Sequence, residues 1–256
     1  MNTLITFIKK EFTEHYRSKK LLIILLVFVG VGILNPLTAL ITPWIFEMLA
    51  DTMENSGIIM GDITITALDS WVQFFKNIST VLIAFILIES AIFSNEYQKG
   101  TLTLVLTKGF ERYKVVLSKL FIMLSVWSFG YWLCYLITYS YNMYYWDNSI
   151  AQNLVFAAVI WWLFGTFVIS VFTMFSVLTN TNSGALVLTG FAVFGMYLVG
   201  LLPKINKYLP TLLVDGNSLI YGLKEVKFYL FSLILAIVLS IIAVTVSILS
   251  FNKKKL

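Results

Sequence analysis

The stretch LLIILLVFVGVGIL, Leu21 to Leu34, decides the fold. Every position is apolar or glycine, so a helix here has no face for water, and no alternation separates a lumen side from a lipid side. The run continues to Trp44, and a bilayer core of about 30 Å takes roughly 20 such residues as a helix. A barrel strand would alternate over about ten residues, so this run excludes a spanning barrel.

Five further segments resemble it: Trp71 to Phe93, Leu120 to Tyr144, Asn153 to Leu178, Ala185 to Leu202 and Phe228 to Phe251. The composition agrees. Of 256 residues, 59% are hydrophobic and 12% charged, with a mean hydropathy of +0.88, too little polar surface for a water-soluble globule. We therefore expect an all-α polytopic membrane protein with six transmembrane helices across 21–251. A basic tail follows at 252–256.

Residues 1–20 read differently. Met1, Leu4, Ile5, Ile8, Phe12, His15 and Tyr16 recur at helical spacing, while Lys9, Lys10, Glu14, Arg17 and Ser18 fall elsewhere. That pattern predicts an amphipathic interfacial helix with its apolar face on lipid, serving as an anchor or transmitting motion. The apolar run behind this charged leader passes any small-residue cleavage site, so the leader is expected to be retained.

Lysine and arginine positions orient the chain. With six spans and the N-terminus inside, thirteen of these residues (Lys9, Lys10, Arg17, Lys19, Lys20, Lys99, Lys108, Arg112, Lys114, Lys119 and Lys253 to Lys255) fall on the inner side. Five (Lys76, Lys204, Lys207, Lys224, Lys227) fall outside. This bias predicts a multi-pass protein of the cell (plasma) membrane with both termini cytoplasmic. The net charge of +5 is then a topology signal, and no nucleic-acid partner is expected. One cysteine, Cys134, and one histidine leave no disulfide or thiolate metal site to build.

Between the second and third spans, residues 94–119, NEYQKGTLTLVLTKGFERYKVVLSK from Asn95 to Lys119 forms the one basic polar segment inside the apolar blocks. Leu102, Val105, Leu106 and Phe110 share a helical spacing between Gly100 and Gly109, as an amphipathic docking helix would. The alternation in TLTLVL also fits a strand, and a solvated loop of topogenic charges is the plain alternative. The other inner turn, Thr179 to Gly184, is too short to seat a partner.

An acid (Glu96), a GTL turn (Gly100, Thr101, Leu102), a hydrophobic Leu106, then Arg112 and Lys119 before the next span resemble the loop of ABC-2 type transporter permeases. The six-span plan with an amphipathic leader is similar over nearly the whole chain. Lys108 and Gly109 stand where members of that family commonly carry a proline. The resemblance implies the membrane permease subunit of an ATP-binding cassette exporter, with this loop as the coupling helix docked on a cytoplasmic ATPase dimer. The implied docking residues are Glu96, Gly100, Thr101, Leu102, Val105, Leu106, Phe110, Arg112 and Lys119. It implies a second permease chain, same or different, ATP and Mg in the partner ATPase, and no cofactor or catalytic residue in this chain. No GxxxxGK[ST] motif occurs and no glycine precedes a lysine, so a nucleotide would have to be held elsewhere.

Glu89, inside ILIESAIF, is a candidate for the transport path or gating, because an intramembrane acid usually faces a bundle interior or aqueous cavity. An interfacial structural acid is the alternative. The aromatics at 139–146 read as an interfacial belt. The proline-broken segment 203–227 reads as two short helices dipping into the outer leaflet, or as a packed surface loop. Hydrophobic or amphipathic cargo (peptide, antimicrobial or lipid-like) is expected. The competing readings are an ion-coupled secondary carrier, which usually shows repeated halves, and an intramembrane enzyme, for which no converging catalytic groups are visible.

Overall fold

In the computed structural model, residues 2–54, 64–98, 111–179 and 181–254 are described. Among them the regular structure is helical and no strand occurs. The long helices are α2 (Lys20–Glu54), α3 (Ala67–Glu89), α5 (Arg112–Tyr145), α6 (Leu154–Thr179), α7 (Asn182–Gly200) and α10 (Leu230–Lys253). These six are long and apolar enough to cross a membrane, as the sequence predicts. Short helices are α1 (Asn2–Arg17), α4 (Ser94–Gln98), α8 (Pro203–Asn206) and α9 (Gly216–Ile220). Gly100, Thr101, Leu102, Val105, Leu106 and Phe110 lie outside the described residues.

The long helices run alternately up and down. α2 packs along α3 and α5, α6 packs along α7 and α10, and α5 touches both groups. Apolar helices gain little from leaving lipid for one another, so close packing and polar links decide which surfaces meet. Aromatic rings fill the centre: Phe28 and Trp127 centroids are 5.7 Å apart, and Trp127 and Tyr131 5.5 Å. Gly165 makes room for this column, since a Cβ there would lie 2.1 Å from Cζ2 of Trp127. The Tyr131 hydroxyl donates to the Ala158 carbonyl at 2.7 Å, tying α5 to α6.

Pro36 sits inside α2 without ending it. Lacking an N–H, it leaves the carbonyl four residues earlier, that of Gly32, without its helical donor. Thr138 Oγ1 on α5 donates to that carbonyl at 3.1 Å and accepts from Asn35 Nδ2 at 3.1 Å. Asn77 Nδ2 on α3 completes the chain, donating to Asn35 Oδ1 at 2.9 Å. The proline thus creates a polar node that joins three spanning helices.

The segment 203–227 forms α8, a 3-10 turn at Pro210–Val214, α9, and the start of a further 3-10 turn at Val226–Tyr229. Two short helices dipping into the outer leaflet, or a packed surface loop, were expected; two short helices, α8 and α9, do occur, with 3-10 turns between and after them. Leu212, Leu213, Leu219 and Ile220 are buried, so the middle of the segment, 210–220, is covered by protein, whereas Ile205, Tyr208, Tyr221 and Leu223 on its flanks are exposed. A Cβ on Gly216 would lie 2.7 Å from the Phe75 ring, which explains glycine at that approach.

Candidate functional site

The densest chemistry lies at the end of the bundle where α1, the last turn of α3, α4 and the first turns of α5 meet. α1 turns Phe7, Glu11 and His15 inward, each buried and four residues from the next. This differs from the sequence reading, which grouped His15 with the lipid-facing set and gave Glu11 no role. Ile5, Phe12 and Tyr16 remain exposed on the helix, while the stripe turned to the protein is partly ionic.

Lys119, 1% exposed, is its centre. Its Nζ donates to both carboxylate oxygens of Glu11 at 3.0 Å and lies 3.0 Å from Glu96 Oε2. Lys10 contacts Glu96 from the other side and reaches Glu11 at 2.9 Å and Glu14 at 3.3 Å. Glu11, Glu14 and Glu96 bring carboxylate oxygens within 4.8 Å of one another, and the Lys10 ammonium takes up charge from all three. Burial lowers the Lys10 pKa, but Glu11 and Glu96 more than offset it and hold it above the ordinary lysine range.

Glu89 belongs to the same assembly. Its carboxylate oxygens are both 3.1 Å from His15 Nε2, and Lys20 Nζ is 3.9 Å away. The His15 Nδ1–H donates to the Glu11 carbonyl at 2.9 Å, since a carbonyl can only accept. That fixes the ring, so a second proton at Nε2 is shared with Glu89. Burial pulls the His15 pKa down, whereas the hydrogen bond and charge of Glu89 outweigh this and raise it. With His15 protonated, Lys10, His15, Lys20 and Lys119 balance Glu11, Glu14, Glu89 and Glu96. A buried set of this kind is tolerable only when its charges are paired and hydrogen-bonded.

The sequence-predicted residues therefore separate into groups. Glu89, Glu96 and Lys119 are brought together around α1. Arg112, at the start of α5, points instead to the end of α10, where Nη1 donates to the carbonyls of Phe251 at 3.4 Å, Asn252 at 3.2 Å and Lys254. These carbonyls lie at the end of α10, where backbone acceptors run short of intrahelical donors and that of Phe251 also takes a backbone N–H, from Lys254 at 3.3 Å, so a guanidinium caps them well. The Lys254 ammonium in turn donates to the carbonyl of Val177 in the last turn of α6, and burial pushes its pKa down to about 8. Glu11 and His15 were missed as site residues because an acid on a surface helix reads as solvated and the spacing of His15 groups it with the lipid-facing residues. The available signal was their four-residue spacing with Phe7, which puts all three on one stripe.

The polar segment is thus gripped at both ends. Glu96 precedes residues 99–110 and Lys119 follows them, and both meet Glu11 or Lys10 of α1. No protein-family model and no curated protein matches the chain.

Proposed function

We propose that this chain is the membrane permease subunit of an ATP-driven exporter, working with a separate cytoplasmic ATPase dimer and a second permease chain. The observation that carries the reading is the charge clamp around Lys119. A force applied to 99–110 enters a body in which α1, α4 and α5 are already joined by short ionic contacts. Rigid elements joined in this way move together, which is what rocking between inward- and outward-facing states requires. The segment 99–110 is the docking helix in this reading, with Leu102, Val105, Leu106 and Phe110 as its apolar ridge. ATP and Mg are held by the partner. Glu89 acts in the transmitting network, since its carboxylate is held by His15 and Lys20.

The positive-inside bias supports a plasma-membrane protein with cytoplasmic termini, and in that orientation the clamp would face a cytoplasmic ATPase. A cleft of about 460 Å³ between α3, α6 and α7, lined by Leu82, Ile86, Trp161, Phe164, Val193 and Phe194, supports a hydrophobic or amphipathic cargo. Trp161 Nε1 is buried there without a hydrogen-bond partner among the described residues, so a cargo acceptor could meet it.

The test is co-purification of the chain with an ABC-type ATPase sought in its genomic neighbourhood, followed by ATP hydrolysis in proteoliposomes. Leu106→Asp places a charge in the apolar ridge and is expected to abolish assembly or coupled hydrolysis. If no ATPase binds, or if Leu106→Asp couples like the wild type, the exporter reading fails.

A further inference from the structure

We infer that the elbow between α1 and α2 is a binding site for one anionic glycerophospholipid of the leaflet that α1 lies on. The inference goes beyond the transport reading and does not need an ATPase. It rests on a groove of about 750 Å³ built from two chemically different levels. Tyr16, Arg17 and Lys19 form the upper rim, and below them Leu22, Leu25 and Leu26 form an aliphatic wall.

The elbow is a defined turn. The Ser18 N–H donates to the Glu14 carbonyl at 2.9 Å, and the Lys19 N–H to that of Tyr16 at 3.2 Å. Lys19 adopts φ of 58°, a left-handed conformation uncommon outside glycine, and its carbonyl then accepts from Ile23 at 3.1 Å within the new helix. The left-handed residue turns the chain from α1 into α2, and the Lys19 side chain lines the rim with Arg17.

Charge complementarity selects the occupant. Lys10, Lys20, Lys119 and His15 are taken up by four carboxylates in the buried network. The Arg17 and Lys19 side chains have no ion pair or hydrogen-bond partner among the described residues, so two positive charges at one rim await an anion. A soluble anion would use only the rim. The wall from Lys19 to Val29 descends about 15 Å at 1.5 Å per residue, the depth of one leaflet of a bilayer core about 30 Å thick. Leu22 and Leu26 are 58% and 62% exposed on that wall, where an acyl chain would lie. The Tyr16 phenol, also exposed, stands at the headgroup level, as interfacial tyrosines do. A phosphate on the rim with acyl chains on the wall satisfies both levels at once.

The test is native mass spectrometry of the detergent-solubilised full chain titrated with dioleoyl phosphatidylglycerol or dioleoyl phosphatidylcholine. The wild type should prefer the anionic lipid by about thirtyfold, the scale expected for two cations at a membrane surface. Arg17→Gln with Lys19→Asn, asparagine being tolerated in the left-handed turn, should reduce that preference to less than about twofold. Lys204→Gln with Lys227→Gln removes the same charge elsewhere and should keep it. Equal binding of the two lipids, a preference that survives in the elbow variant, or an equal loss in both variants overturns the proposal. Displacement of the lipid by inorganic phosphate at matched concentration overturns it too, because the site would then take a soluble anion. Should the elbow variant not fold, the wild type decides the matter alone: a photoactivatable phosphatidylglycerol must label peptides within residues 16–29, and labelling only elsewhere refutes the site.

Discussion

Lys119→Met is the most direct perturbation of the clamp, because methionine keeps most of the side-chain volume while removing the charge. Lys119 is 1% exposed and makes three ionic contacts at 3.0 Å, two to Glu11 and one to Glu96. Without it those carboxylates face each other with only Lys10 between them, and Lys10 is 42% exposed. Removing one partner of a buried ion pair typically costs about 3 to 5 kcal/mol, because the surviving charge stays buried. For a chain of this size each kcal/mol shifts Tm by roughly 2 to 4 °C, so the expected loss is about 6 to 20 °C. Tryptophan fluorescence during heating in detergent reads it, since Trp127 is fully buried in the core that α5 carries. The double variant Lys119→Met with Glu11→Met should recover part of the loss, because one orphaned carboxylate is gone. A single variant within about 2 °C of wild type, or a double variant no better than the single, would refute the account of a paired buried cluster.

Two further outcomes are expected. The folded-state pKa of His15 is raised above its ordinary value of 6.5, so its contribution to holding α1 is complete below about pH 6.5 and is lost as pH rises through the raised value. Protease accessibility of α1 should therefore increase toward alkaline pH and lose that component in His15→Gln; an identical profile in both proteins counts against the His15–Glu89 pair. Thr138→Val removes the donor to the Gly32 carbonyl and the acceptor of Asn35, and at about 0.6 to 1.7 kcal/mol per membrane hydrogen bond it should cost roughly 1 to 3 kcal/mol in mixed-micelle denaturation. Thr138→Ser should retain most of that, and equal behaviour of the two variants would discount the node.

The spans were legible because their signal is a sum over roughly 20 residues that does not depend on what each helix meets. The expected start at Leu21 and the observed start at Lys20 differ by one residue. The partnering of polar side chains was not legible, because it depends on which helices become neighbours. Pro36 announces a freed carbonyl in its own sequence, but the donor Thr138 is 106 residues from Gly32. Glu11 and Lys119 are 108 residues apart, and on a helix of mixed polarity an acid looks the same whether it faces water or a buried lysine. Arg112 shows the same limit: nothing in its sequence position beside the loop announces that its guanidinium caps α10.

These polar links are concentrated on α5. Arg112 reaches the end of α10, Lys119 reaches α1 and α4, Trp127 donates through Nε1 to the Trp162 carbonyl of α6 at 3.3 Å, and Thr138 reaches α2. From Arg112 to Thr138 the helix rises about 39 Å at 1.5 Å per residue, so its contacts are spread over the full depth of a bilayer. In lipid an apolar interface resists sliding only through shape, whereas a buried hydrogen bond must be broken or replaced. α5 is therefore the element least free to move alone, and it is also the one that begins directly after the polar segment. α7 stands at the other extreme, with only Ala185 and Thr189 buried along its length. A displacement delivered at residues 99–110 would carry α1, α2 and α6 along with α5, and α7, across the apolar cleft from α3, is where relative motion would cost least.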